Sequence, residues 1–228
     1  MLHSYYSYKS FMPAHAGASI AEGIRMHNFL AELKKQRWDD HRYYHHCRIN
    51  QSLHLVSALS FLSAYVLIFT NPVAAALMAW LVAMVTRQSG HFFFEPKGYD
   101  EVNQATHAHK EDIKVGYNLK RKIVLLAIWA LIPVALWFEP TLFGVFPRAS
   151  DKPDFVRHVC QVWLALGFAA LLFRTIQLFF QQSVLTGLAW FTKIATDPFH
   201  DVKLYFRAPL YVLRGERIDP MDDVVHQA

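Results

Sequence analysis

Thirteen histidines are spread along the 228 residues, and those beside long apolar stretches matter most. His45, His46 and His54 lead into one such stretch, His91 ends the next, and His107 and His109 follow shortly after. On a helix, residues four apart share a face, so His46, Asn50 and His54 form one stripe, and Arg87, His91 and Glu95 form another. Neutral imidazole with carboxylate is the ligand set of non-haem iron(II), with zinc the less favoured occupant. The expected ligands are drawn from His45, His46, His54, His91, His107 and His109, centred on His46, His54 and His91. Asn50, Arg87 and Glu95 complete the candidate constellation; a carboxylate at a helix C-terminus opposes the dipole, so Glu95 calls for a cation nearby. His3, His15, His27, His41, His158 and His226 read as ordinary polar groups, and His45 and His200 rank behind the central three.

These side chains need elements to carry them. Hydrophobic residues make up 54% of the chain, and four runs are almost free of charge: residues 53–69, 73–86, 123–138 and 159–173. With its flanks, each approaches the roughly 17 to 25 residues that span a bilayer. The expected fold is therefore all-α and polytopic, with four transmembrane helices over about 53–70, 72–94, 122–138 and 159–180. A soluble bundle would have to hide a 15% aromatic content concentrated in those same runs. Thr70-Asn71-Pro72 is a turn signal, and proline is pre-set to open the following helix. From His54 to Asn71 is about 17 residues, or roughly 26 Å of helix, and from Pro72 to His91 about 19 residues, or roughly 28 Å. The hairpin therefore returns His91 to the depth of His54, and helices packed about 8 to 10 Å apart can both reach one ion.

Orientation follows from the basic residues. Lys34, Lys35, Arg37, Arg42 and Arg48 precede the first span; Lys97, Lys110, Lys114, Lys120, Arg121 and Lys122 lie between the second and third. Lysine and arginine mark the cytoplasmic side, so both termini and the histidine-rich end are expected there, in a bacterial inner membrane or the endoplasmic reticulum. The first fifty residues lack a cleavable apolar signal, so the first span is expected to act as the insertion signal. The net charge of +5 sits beside spans, which suits anionic lipid headgroups and argues against nucleic acid. Residues 1–27 are expected to be a loosely ordered arm, and 28–228 one membrane-embedded domain. The helix from His27 is expected to run through Tyr43-Tyr44-His45-His46 into the first span; Pro133 should kink the third, and 181–228 should form interfacial amphipathic helices. Cys47 and Cys160 fall at opposite ends of the spans and should not pair.

Two of these stretches carry a family resemblance. His45-His46-Cys47-Arg48-Ile49-Asn50-Gln51-Ser52-Leu53-His54 has the pattern HHxxxNxxxH, and Gly90-His91-Phe92-Phe93-Phe94-Glu95 has GHxxFE. Flanking a membrane hairpin, they resemble the membrane 2-hydroxy fatty acid dioxygenases, over roughly residues 40–96. The resemblance implies an iron(II) dioxygenase that shortens 2-hydroxy fatty acids by one carbon in α-oxidation, with dioxygen and a fatty-acid-type lipid as substrates. Where relatives commonly continue with a basic residue and Arg-Pro-Ala, this chain has Pro96-Lys97-Gly98-Tyr99-Asp100, and its third and fourth spans are an addition. A 2-hydroxy acid can offer hydroxyl and carboxylate oxygens to an open metal site, and Arg87 or Arg48 would be placed to neutralise the carboxylate. Two other readings stay open. A di-iron hydroxylase or desaturase would need about eight ligands and the HxxxH and HxxHH spacings that are missing here. A non-enzymatic membrane protein could use the histidines for structural metal or pH response.

Overall fold

A computed structural model describes the backbone of residues 14–221 and the side chains of residues 28–221. His3 and His226 lie outside the described residues, as do the side chains of His15 and His27. Among the described residues the chain is helical, with two isolated bridges and no strand. The helices are α1 (Ala14–Tyr44), α2 (Arg48–Leu67), α3 (Pro72–Phe94), α4 (His107–Ile113), α5 (Leu119–Phe138), α6 (Lys152–Gln181), α7 (Val184–Tyr205) and α8 (Ala208–Leu213).

Local chemistry explains most of the boundaries. Pro72 opens α3 while the Asn71 side chain accepts from Ala74 N at 3.1 Å. Asn118 caps α5, Asp151 caps α6 and Ser183 caps α7 in the same way. The expected loose arm departs from this at its second half: helix begins at Ala14, just after Pro13, where Ala14, Ala16, Ala18 and Ala21 favour it. The expected run of helix through His45 and His46 is also interrupted, since α1 ends at Tyr44 and α2 starts at Arg48. The polar segment after α3 contains its own short helix, α4, capped by Thr106. Through Pro133, α5 remains a continuous helix.

Three of the helices, α3, α5 and α6, are long and apolar enough to cross a membrane, as a multi-pass membrane protein requires. The hairpin partner α2 is as long as α5, but Arg48, Asn50, Gln51, Ser52 and His54 dilute its first two turns. Small buried residues line the hairpin helices, with Ala58 and Ala64 on α2 and Ala75 and Ala83 on α3, as close helix approach favours, while Ala76 packs with Trp80, Val159 and Trp163. Near the far ends of the spans, Trp80, Trp129 and Trp163 stack with centroids 5.7 and 5.5 Å apart beside Leu136, Val159 and Cys160. Both cysteines are free and buried. Only Leu136 of α5 is buried, so this helix presents an almost wholly apolar surface outward.

The helix α7 is inverted relative to one facing water. Its buried stripe is Lys193, Asp197, Asp201 and Tyr205 at four-residue spacing, while Leu188, Ile194, Phe199 and Leu204 face out. It packs against α1, α2 and α6, and so delivers charges to the end of the hairpin where His54 and His91 lie.

Candidate metal centre

The break between α1 and α2 decides which histidine faces inward. Two carboxamides from the first turn of α2 hold it: Asn50 Nδ2 donates to Tyr44 O at 2.9 Å and Gln51 Nε2 to His45 O at 2.8 Å. The other side is held by residues 217–221. Arg48 N donates to Arg217 O at 2.8 Å, Asp219 N to His46 O at 2.7 Å, and Cys47 pairs with Ile218 as an isolated bridge. The Asp219 carboxylate then closes on Arg48 at 2.9 Å and accepts from Gln51 Nε2 at 2.7 Å. Extended backbone at Cys47 turns consecutive side chains to opposite sides. His45 enters the bundle, whereas His46 Nε2 lies 2.6 Å from Arg42 O and 3.2 Å from Asp100 Oδ2.

His45, His54 and His91 converge. All three are buried, and their ligating nitrogens lie within 4.8 Å of one another. The His45 and His54 Nε2 atoms are 3.3 Å apart, and the ring centroids of His54 and His91 are 4.9 Å apart. Bonds of about 2.1 Å to one ion place adjacent nitrogens roughly 3 to 3.4 Å apart, which the His45–His54 pair already meets and which His91 reaches by closing in by about 1.5 Å at most. Each ring also has an oxygen near its other nitrogen. His91 Nδ1 meets Glu95 Oε2 at 2.7 Å, His45 Nδ1 meets Asp40 O at 2.9 Å, and His54 Nδ1 faces Asp201 Oδ2 at 3.7 Å. The oxygens bonded at Nδ1 of His45 and His91 favour the tautomer that leaves their Nε2 lone pairs inward, as metal-binding imidazoles need, whereas His54 Nδ1 has no hydrogen-bond partner.

The histidine-bearing turn of α3 is π-helical from Gly90 to Phe94, which widens the helix where its backbone meets α2. Gly90 is required there, because a Cβ would stand 2.1 Å from Asn50 Oδ1. Behind the cluster runs a buried charge network. Arg87 reaches Asp201 at 3.1 Å and Asp197 at 3.9 Å; Lys193 bridges Asp197 at 2.6 Å and Asp40 at 3.1 Å; Arg37 approaches Asp197 at 3.6 Å. Burial alone would raise the Asp40 carboxyl, but the Lys193 ammonium holds it well below the usual carboxylate range. Burial pushes His45 well below its ordinary value, with His54 adding to the effect, so the imidazole is neutral. Burial pushes the Glu95 carboxyl up against the pull of Lys114 and Lys122, a strain that a cation among the imidazoles would relieve.

Of the sequence-predicted residues, His45, His54 and His91 come together, and Glu95 stands directly behind His91. His46 is turned away to Asp100, His107 is half-buried and His109 exposed on α4, outside the three-histidine cluster. Asn50 braces the chain break, and Arg87 is engaged by two carboxylates. Sequence reasoning passed over Asp40, Asp201 and Tyr205, whose ring lies 5.5 Å from His45 and 6.2 Å from His54. The four-residue spacing of Lys193, Asp197, Asp201 and Tyr205 was the available signal. Comparison with protein-family models, with curated proteins and with solved structures finds no match for this chain.

Proposed function

We propose that this chain is an integral membrane oxygenase that holds a single iron(II) on His45, His54 and His91 and shortens 2-hydroxy fatty acids by one carbon. The observation that carries the reading is the buried convergence of three imidazoles, two of them braced at Nδ1 by an oxygen within hydrogen-bond distance. The HHxxxNxxxH and GHxxFE motifs, with their resemblance to the membrane 2-hydroxy fatty acid dioxygenases, supply the substrate class. Three protein ligands leave positions open, and bound iron would supply the redox chemistry with dioxygen there. The balance closes without another reductant: a 2-hydroxy acid and dioxygen yield the acid one carbon shorter, carbon dioxide and water. Glu95 and the Asp40 carbonyl fix ring orientation, and the charge network keeps Asp201 facing His54. In this reading α2 joins α3, α5 and α6 as a fourth crossing, the termini and the histidines are cytoplasmic, and the acyl tail lies among the spans.

A three-imidazole set without a converging carboxylate also suits zinc, so metal identity is the first measurement. A di-iron centre would need about eight ligands, and three gather among the described residues. The experiment is metal analysis of protein purified in detergent, with oxygen uptake and release of labelled carbon dioxide from a 2-hydroxy acid labelled at C1. His45→Ala, His54→Ala and His91→Ala should each lose metal and turnover, whereas His46→Ala should retain the metal. Full metal in His54→Ala and His91→Ala would displace the site. Zinc in the wild type, or iron with no oxygen uptake, would remove the oxygenase reading.

A further inference from the structure

Resting on the reading of α2 and α3 as a membrane-crossing hairpin, we propose that α7 is sunk among the lipid acyl chains of the leaflet on the histidine side. Its apolar face would meet lipid and its charged face the hairpin. Contacts with α2 fix its depth. Asp201 Oδ2 is 3.7 Å from His54 Nδ1, so the C-terminal part of α7 lies level with His54. From His54 to the turn at Asn71 is roughly 26 Å of helix, less than the about 30 Å of a hydrocarbon core, so His54 already stands at the edge of that core. Tyr65 lies about eleven residues, or roughly 16 Å, beyond His54 on α2, and its hydroxyl donates to Ala195 O at 3.1 Å. A phenol side chain and one hydrogen bond cover less than two thirds of that distance. Ala195 therefore lies at least a turn of helix deeper than His54, and α7 descends from Tyr205 toward its middle.

The two faces of α7 suit that position. Leu188, Ile194, Phe199 and Leu204 point outward, Phe199 with 61% of its surface exposed. The α2 helix, against which α7 packs, likewise exposes Val56, Leu59 and Val66. A helix lying on the membrane surface turns its charges to water, whereas Lys193, Asp197 and Asp201 are buried. Each is answered by an opposite charge. Lys193 meets Asp197 at 2.6 Å and Asp40 at 3.1 Å, Arg87 meets Asp201 at 3.1 Å, and Arg37 approaches Asp197 at 3.6 Å. Three cations thus face three carboxylates inside the bundle, and none is offered to hydrocarbon, as ionisable groups at bilayer depth require. Cations resume where the helix rises: Lys203, Arg207 and Arg214 are exposed, as groups reaching anionic headgroups are. An average along the sequence hides the apolar face, because the inward charges count against it. The charge network beside His54 is thereby walled from water on its outer side.

The test is electron paramagnetic resonance of nitroxide labels on the full-length protein, in bilayer discs of equal parts phosphatidylcholine and phosphatidylglycerol. Single cysteines are introduced as Ile194→Cys, Phe199→Cys and Lys203→Cys on α7, with Val134→Cys on α5 and Lys97→Cys in the polar segment as references. All five positions are exposed, whereas Cys47 and Cys160 are buried and stay. Each label reports collisions with dioxygen, which concentrates in lipid, and with a nickel complex that stays in water. Ile194→Cys and Phe199→Cys should favour dioxygen as Val134→Cys does, Lys97→Cys should favour nickel, and Lys203→Cys should read shallower than Ile194→Cys. Nickel-favoured readings at Ile194 and Phe199, with Val134 in lipid, overturn the proposal and leave the crossing helices in place. A nickel-favoured reading at Val134 as well removes the crossing and the proposal together. Equal depths at Lys203 and Ile194 would lay α7 flat at the interface and also overturn it. So would low access to both reagents with dipolar broadening between labels, which puts a second copy of the chain on this face.

Discussion

Replacing Gly90 with alanine tests how the two motifs are joined. A Cβ at this position would lie 2.1 Å from Asn50 Oδ1 and 3.1 Å from its Cγ, where ordinary contact begins at 3.4 Å. The next nearest atom, Asn50 O, is at a comfortable 3.6 Å, so the obstruction is the carboxamide alone. Displacing it breaks the bond from Asn50 Nδ2 to the buried Tyr44 carbonyl. An unpaired buried carbonyl costs about 1–3 kcal/mol, and a side chain pushed off its rotamer about 0.5–1.5 kcal/mol. Against these, alanine gains about 1 kcal/mol over glycine in a helix. Gly90→Ala should therefore destabilise by roughly 1–3 kcal/mol and lower metal occupancy, because the Tyr44 carbonyl anchors the break that aims His45. Asn50→Ala alone should cost a similar amount, again about 1–3 kcal/mol. The double variant should cost no more than Asn50→Ala, since the alanine methyl then has room and the hydrogen bond is already gone. The assay is unfolding in mixed micelles, followed by circular dichroism, with metal content measured on the same samples. Simple additivity of the two single costs would refute the reasoning.

Glu95→Gln should weaken metal affinity about 10- to 100-fold, as loss of a carboxylate behind a ligating imidazole does; chelator competition measures it, and unchanged affinity would detach Glu95 from the function of His91. Asp219→Ala should open residues 217–221 to limited proteolysis and cost about 1–3 kcal/mol through the lost bonds to Arg48 and Gln51. A cleavage pattern identical to wild type would contradict the bracing. Lys193→Met should cost about 3–5 kcal/mol, because Asp40 and Asp197 would lose the ammonium buried between them. The pH dependence has a definite sign. The folded value of Asp40 is depressed, by Lys193 foremost among its charges, so its contribution is present above about pH 4 and lost as pH falls through the depressed value. The folded value of Lys193 is raised by Asp197 and Asp40 against its burial, so its contribution is present below about pH 10 and lost as pH rises further. Wild-type stability should be flat from about pH 7.5 to pH 9, and should fall as pH drops below about 6.5, where the unfolded His45 takes up a proton that the buried imidazole refuses; a slope in denaturation midpoints between about pH 7.5 and pH 9 would count against the network.

The sequence was most informative where distance along a helix translates directly into depth. Counting residues from Asn71 outward places His54 and His91 level, and their rings meet with centroids 4.9 Å apart. The charge-poor runs likewise locate α3, α5 and α6, although Pro72–Phe94 contains π turns that no periodicity announces. The choice between His45 and His46 was not legible. A four-residue stripe favours His46, but the stripe assumes continuous helix, and the break at residues 45–47 is imposed by Asn50, Gln51 and residues 217–221. Arg87 could not be recognised as spoken for until α7 brought Asp197 and Asp201 to it. The tail read as aromatic and basic from its composition; that its charges turn inward became visible only once α7 was packed against α2.

The bracing of His45 by residues far along the chain imposes an order on biogenesis. Asp219 acts across 168 and 171 positions of sequence, and Tyr205 meets His41 across 164. Synthesis proceeds from the N-terminus at about 5–20 residues per second, so α3 is complete roughly 6 to 25 seconds before the residues that complete the break, and α2 earlier still. His54 and His91 can meet as soon as the hairpin closes, while His45 has no fixed direction until Asp219 has docked. A ribosome that stalls after α6 leaves an inserted protein with two imidazoles in register and the third unaimed. Complete translation thus becomes a condition for bringing the three imidazoles together, and a prematurely ended chain is delivered to the bilayer with the cluster unfinished.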